Sequence, residues 1–181
     1  MIDKNGDGIL QYVLVGGPKS DIIANQRTQG VISTIENSGI KAEKLQSVVT
    51  NWTREVAKSG VENIFLKYDD KIEAIIANDD DLAIGSIEAL QKYGYNIGNS
   101  SKFIPVFGVN GTPEAKELID KGIMSGTVIE DLKELAETFY TVGLNLINNV
   151  NPIENTNSIL ENGEIISLQN PEKYIKRVEA K

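Results

Sequence analysis

Short apolar runs alternate with longer segments of helical spacing along most of the chain. The runs are Gln11–Gly16, Lys44–Thr50, Ile72–Ala77, Ile104–Val109 and Gly126–Ile129, all nearly continuous and mostly rich in Val and Ile. That pattern is expected of strands covered on both faces. The intervening segments predict helices over Ile22–Ser38, Thr53–Lys67, Asp80–Lys92 and Pro113–Lys121. In the first, Ala24, Thr28, Val31 and Ile35 fall on one helical stripe, and Ser38-Gly39 is a stop signal. Asp79 ahead of Leu82 is a start signal with favourable charge, and Pro113-Glu114 opens the next helix. The β-α rhythm predicts an α/β fold with a parallel, doubly wound sheet.

The pattern changes after residue 130. Asp131–Asn149 predicts a long helix with Leu132, Leu135, Phe139, Val142 and Leu146 on one side. Asn151–Gly163 is expected to be loop, Glu164–Leu168 a strand and Pro171–Val178 a short terminal helix. The predicted divisions are therefore 1–130, 131–163 and 164–181.

Composition narrows the chemistry. The chain has 181 residues, no Cys and no His. Disulfides, thiolate nucleophiles, Ser-His-Asp catalysis and His- or Cys-ligated metals are excluded. A net charge of −8 argues against a non-specific nucleic-acid binder and against docking on anionic lipid. No apolar run approaches the roughly 18–20 residues of a membrane span. Met1 is followed within two residues by an acidic loop, so the expectation is either a cytosolic protein or a fragment whose leader lies elsewhere.

That loop, Asp3-Lys4-Asn5-Gly6-Asp7-Gly8-Ile9-Leu10-Gln11, matches the first nine positions of a helix-loop-helix calcium loop. Oxygen side chains stand at positions 1, 3, 5 and 9, glycine at 6, and the Ile9 carbonyl at 7. Position 12, where a bidentate Glu should close the shell, is Leu14. The loop is therefore either a polar turn or a cation site completed from elsewhere.

In open α/β sheets ligands gather at the carboxyl ends of the strands. The residues there are Asp21 with Arg27 a turn or more into the helix, then Trp52, Asp79, Asn110 and Glu130. Carboxylates, an amide, a guanidinium and one indole suit a polyhydroxylated ligand: planar groups take neighbouring hydroxyls, and the indole covers an apolar C–H face. Each has a second reading: Asp21 and Asp79 as helix caps, Trp52 as core, Arg27 as surface, Asn110 as a turn residue, Glu130 as a charge favouring the next helix. Gly16–Ser20 lacks the spacing of a phosphate loop, and Pro18 removes a donor.

The loop Asp3–Gln11, the segment Ile72–Leu90 and the segment Ile104–Val128 resemble the periplasmic galactose/glucose-binding proteins, solute receptors of sugar ABC transporters and chemotaxis. The resemblance covers most of residues 2–149. It implies a type I periplasmic-binding-protein-like lobe, truncated, with sheet order 2-1-3-4-5. It also implies that Glu73 supplies the missing carboxylate, giving a Ca2+ shell of Asp3, Asn5, Asp7, the Ile9 carbonyl, Gln11 and Glu73. The family's sugar contacts fall on Asp21, Ile23, Arg27, Trp52, Asp79, Asn110 and Glu130. Arg27 and Trp52 match in kind. The family has His at Asp21, Asp at Ile23 and Asn at Glu130, and its Asn and Asp at Asp79 and Asn110 are exchanged.

The resemblance further implies that the chain begins inside the second of two lobes, with the N-terminal lobe and a leader missing, and that residues 131–163 pack on that lobe. The expected function is monosaccharide binding for an ABC transporter permease or chemoreceptor, outside the cytoplasm, without catalysis. Two other readings stand beside it. One is the ligand-sensing effector domain of a sugar-responsive transcription regulator. The other is a phosphoryl-accepting or carbohydrate-hydrolysing enzyme using Asp79, Asp80 or Glu130; glycoside hydrolysis needs two carboxylates roughly 5–9 Å apart.

Overall fold

The computed structural model describes residues 3–98, 102–167 and 172–175. Strand β1 (Leu10–Gly16) lies inside the sheet, and its alternation shows why its apolar run is continuous. Val13 and Val15 point to one face, where they pack in a cluster with Ala57, Val61 and Ile64 and with Leu82 and Ile87. Tyr12 and Leu14 point to the other, against Val31, Ile32 and Ile35. The first set of partners belongs to helices α2 (Arg54–Tyr68) and α3 (Asp80–Gln91), the second to α1 (Ile22–Asn37). Burying each such aliphatic side chain stabilises the fold by about 1.5–3 kcal/mol.

The remaining elements are β2 (Ala42–Val49), β3 (Ala74–Ala77), β4 (Val106–Asn110), α4 (Pro113–Asp120), β5 (Gly126–Ile129), α5 (Leu132–Ile147), β6 (Ser158–Glu161), β7 (Glu164–Ser167) and β8 (Glu172–Ile175). The larger sheet has the order β2-β1-β3-β4-β5-β8. β1 pairs in parallel with β2 and β3, and β3 with β4. The expected 2-1-3-4-5 core is present and gains a sixth strand at its edge. No helix among the described residues is long and apolar enough to cross a membrane.

Three expectations are corrected. β2 is not covered on both faces: only Val48 is buried, because the strand stands at the sheet edge. Glu172–Ile175 is strand, not helix, because Tyr174 and Ile175 complete the free edge of β5, close enough that a Cβ on Gly126 would lie 2.9 Å from Ile175 Cγ2. The rest of the predicted terminal helix, and Leu168, lie outside the described residues. The expected loop 151–163 contains β6, which forms a hairpin with β7. Asn162 and Gly163 make its two-residue turn at φ 52° and 84°, the doubly positive geometry that Asn-Gly favours.

The chain divides into two units, residues 1–128 with 173–181, and residues 129–172. The first holds most of the large sheet and its four helices. In the second, Asp131 caps α5 through Lys133 and Glu134 N–H, and Asn145 Nδ2 donates to the Pro152 and Glu154 carbonyls, tying the following loop to the helix. None of the α5 residues is buried; of the predicted stripe, Leu132, Phe139 and Leu146 are exposed.

Candidate functional site

Parallel strands deliver their carboxyl ends to one edge, and the loops that leave it open the helices α1 to α4. Asp21 is the N-cap of α1: Oδ1 accepts from Ala24 N–H (3.1 Å). Its Oδ2 accepts from Trp52 Nε1 (3.0 Å), 31 residues away. The Ala24 N–H, then the indole N–H and the charge of Arg27 hold the Asp21 carboxyl below the usual carboxylate range. Trp52 adopts φ 67°, a left-handed conformation uncommon for a bulky residue. It is held there by its N–H donating to Thr50 Oγ1 (3.1 Å), which itself donates to the Gly16 carbonyl (2.9 Å). The indole lies against Gly17 so closely that a Cβ there would be 2.4 Å from Cε2 and Cζ2. The glycine is thus what admits the ring.

Arg27 reaches across from α1 and donates from Nη1 to the Asn78 carbonyl (2.8 Å) at the end of β3. Asp79 follows and caps α3, with Oδ1 accepting from Leu82 N–H (2.8 Å). Burial, followed by repulsion from Asp81 and Asp80, pushes its carboxyl up, while the Leu82 N–H and Arg27 oppose the shift. Arg27 therefore acts electrostatically on both Asp21 and Asp79, and the structure brings Asp21, Arg27, Trp52 and Asp79 together. Both aspartates are helix caps as well as edge carboxylates, so their two readings coexist. Asn110 ends β4, beside β3, at φ 112°. Ile23 is exposed on the first turn of α1. Glu130 follows β5 within the second unit, its carbonyl accepting from Leu132 N–H (3.1 Å).

Two residues that support this edge escaped the sequence reading as positioning groups. Asn78 is buried and donates from Nδ2 to the Ala24 carbonyl and Thr28 Oγ1 (both 2.9 Å), fastening α1 beside Arg27 to β3. Asp80 is fully buried and accepts from Thr127 Oγ1 (2.6 Å) and Thr112 N–H (2.7 Å). It fixes the turn after Asn110 and joins it to β5. Burial pushes its carboxyl up, against the pull of those donors. The only trace in the sequence is a third consecutive aspartate where one suffices for a cap.

The acidic loop lies at the opposite ends of the strands. Asp3 accepts from Gly6 N–H (2.7 Å) and Gly8 N–H (2.9 Å). Asp7 Oδ2 accepts from Asn5 Nδ2 (3.1 Å) and Gln11 Nε2 (2.7 Å), and the Ile9 N–H, first, holds the Asp7 carboxyl low. Glu73 is fully buried: it accepts from Lys4 N–H (2.5 Å) and Gln11 N–H (3.1 Å), while its own N–H donates to the Gln11 carbonyl (2.9 Å). Among the described residues no group of three or more His, Cys, Asp or Glu side chains closes on a metal. The donor chemistry nonetheless suits a hard cation. Its side chains are carboxylates and carboxamides, all oxygen-bearing, but Asn5 Oδ1 is held by the Asp7 N–H (2.9 Å) and Asn5 Nδ2 faces Asp7 and Gln11, so Asn5 must reorient before its oxygen could reach an ion.

Against known proteins, residues 1–150 match the family described as periplasmic binding protein domain. The D-galactose/methyl-galactoside binding periplasmic protein MglB of Haemophilus influenzae is 33% identical over 156 residues, which is 86% of this chain and 45% of that protein. The D-allose-binding periplasmic protein of Escherichia coli is 25% identical over 138 residues, 76% of this chain and 42% of that protein. An ABC transporter periplasmic solute binding protein of Actinobacillus succinogenes, solved with bound D-allose, shares the fold. Its TM-score is 0.75 at 22% identity over 94% of this chain and 54% of that one. The chain thus spans about half the length of the relatives it matches. With its sheet order, strand-end cluster and match over residues 1–150 taken together, the chain belongs to the periplasmic binding protein domain family.

Proposed function

We propose that this chain forms one half of a monosaccharide-binding site, of the galactose or glucose type, in a solute-binding protein that serves an ABC transporter or a chemoreceptor outside the cytoplasm. The observation that carries the reading is the cluster at the strand ends: an indole, a guanidinium and two carboxylates pre-set by hydrogen bonds across three loops. The Trp52 ring, oriented by Asp21, supplies a face for the C–H side of a pyranose. Arg27 supplies planar donors, and Asp21 and Asp79 supply acceptors for ring hydroxyls. The edge has no His or Cys to move protons or attack a bond, and binding without turnover fits what its residues offer. The chain spans about half the relatives' length; on this reading a facing lobe would come from the other half, and a sugar held by one lobe stays partly in water. Good small-molecule sites bury about 70–90% of the ligand, so affinity on this chain alone is expected to be roughly millimolar.

The same reading assigns Ca2+ to the Asp3–Gln11 loop, with the Asp3, Asn5, Asp7 and Gln11 side chains, the Ile9 carbonyl and Glu73 as ligands. The ion would join the loop ahead of β1 to the residue ahead of β3. Glu73 already bridges those two segments through backbone donors, which favours the assignment. Isothermal titration with a panel of monosaccharides tests the function. Saturable heat with at least one aldohexose, lost in Arg27→Ala, is expected; heat that never saturates for any sugar contradicts it.

A further inference from the structure

Arg54 opens α2, and local physics disfavours it there, because a cation in the first turn opposes the helix dipole. Its partners are tertiary. Nη1 and Nη2 grip Glu114 Oε1 and Oε2 at 3.0 and 2.7 Å, a two-pronged pair, and Nη2 also lies 2.7 Å from Asp81 Oδ1. Glu88 is 3.7 Å away and pairs more closely with Lys58, at 2.7 Å. Asp81 sits in the first turn of α3 and Glu114 in the first turn of α4. One guanidinium therefore bridges the starts of three consecutive helices.

Each of those starts lies directly behind a residue of the proposed sugar edge. Trp52 is two positions before Arg54, Asp79 two before Asp81, and Asn110 four before Glu114. The backbone confirms how close the approach is: a Cβ on Gly85 of α3 would stand 2.4 Å from the Arg54 carbonyl oxygen. Without the guanidinium, Asp81 and Glu114 face each other as like charges with Asp79 and Asp80 nearby, so the clamp becomes a source of repulsion.

We propose that Arg54 is a positioning residue for the binding edge, holding the helix starts behind Trp52, Asp79 and Asn110 in register through Asp81 and Glu114. The proposal rests on the sugar-binding reading for its consequence, not for its geometry. Lysine offers a point charge without the fork, so it restores the attraction and loses the two-pronged geometry.

The test uses the full chain and two readouts. Trp52 is the only tryptophan, so acrylamide quenching of its emission reports the β2–α2 loop with no sugar present. Arg54→Met and Glu114→Gln should each raise the quenching constant with unchanged far-UV circular dichroism, Arg54→Lys should restore part of it, and the double variant should add nothing to the larger single effect. Sugar affinity should fall roughly two- to fivefold in Arg54→Met, the scale of a partly exposed ion pair, and recover in part in Arg54→Lys. Quenching that matches the parent in both Arg54→Met and Glu114→Gln overturns the clamp. If Arg54→Met does not fold, Glu114→Gln and Arg54→Lys decide the question by the same readouts. A parent chain that binds no sugar while the quenching moves as described refutes the function and leaves the clamp supported.

Discussion

Replacing Gly17 with alanine sets a methyl group against the indole of Trp52. The added Cβ would lie 2.4 Å from Cε2 and Cζ2 and 2.9 Å from Cδ2. Ordinary carbon contacts are about 3.5–4.0 Å, so the ring must retreat by about 1 Å. Its Nε1 bond to Asp21 Oδ2, now 3.0 Å, would then stretch beyond hydrogen-bonding range. Overpacking of this kind costs roughly 1–3 kcal/mol. At about 2–4 °C per kcal/mol for a chain of this size, Tm should fall by roughly 2–12 °C. The sign is diagnostic. Gly17 does not occupy the left-handed region, so alanine fits its backbone. Were the ring elsewhere, alanine would stabilise by about 0.4–1 kcal/mol through the unfolded chain. Differential scanning calorimetry with Trp52 emission is the assay. A lower Tm with a shifted emission maximum is expected; a raised Tm with unchanged emission refutes the placement of the indole.

Two further outcomes follow from the same contacts. Calcium should raise the Tm of the parent chain over chelator, with about 2.7 kcal/mol of stabilisation at a hundredfold excess over Kd, and Glu73→Gln should abolish most of the difference; identical parent melts refute the ion site. Asp79, whose carboxyl burial raises above its unfolded value of roughly 3.9, contributes stability that is full below that pH and lost as pH rises through the folded value. Asp79→Asn keeps a cap acceptor for Leu82 and removes the charge, so it should raise Tm at pH 7 and change it little at pH 3; a lower Tm at pH 7 contradicts this.

Much of the architecture could be read from the chain because its signals are local. The runs that became β1, β3, β4 and β5, the caps Asp21 and Asp79, and Pro113 at the first position of α4 act within a few residues of themselves. What escaped depends on partners distant in sequence. β8 exists because β5 has an edge to complete, and nothing near Tyr174 announces that edge. Asn162-Gly163 was the exception, a local hairpin signal embedded in a stretch of polar residues that reads as loop. At the site, residue types marked Arg27 and Trp52, but the roles of Asn78, Asp80 and Arg54 lie in bonds spanning about 30 to 60 residues. The α5 stripe predicted the helix correctly and could not say what faces it, since Phe139 and Leu146 are exposed.

If the strand ends form a sugar site, a monosaccharide must act on the residues there. Amide chemical shifts of the isotopically labelled chain, followed through a titration reaching roughly a hundredfold above 1 mM sugar, report that position. Saturable shifts are expected at residues 17–27, 50–54, 78–81 and 110–112, with residues 3–11 at the opposite strand ends unmoved. Saturable shifts centred on residues 3–11, or no saturable shift with any aldohexose, would contradict a sugar site there.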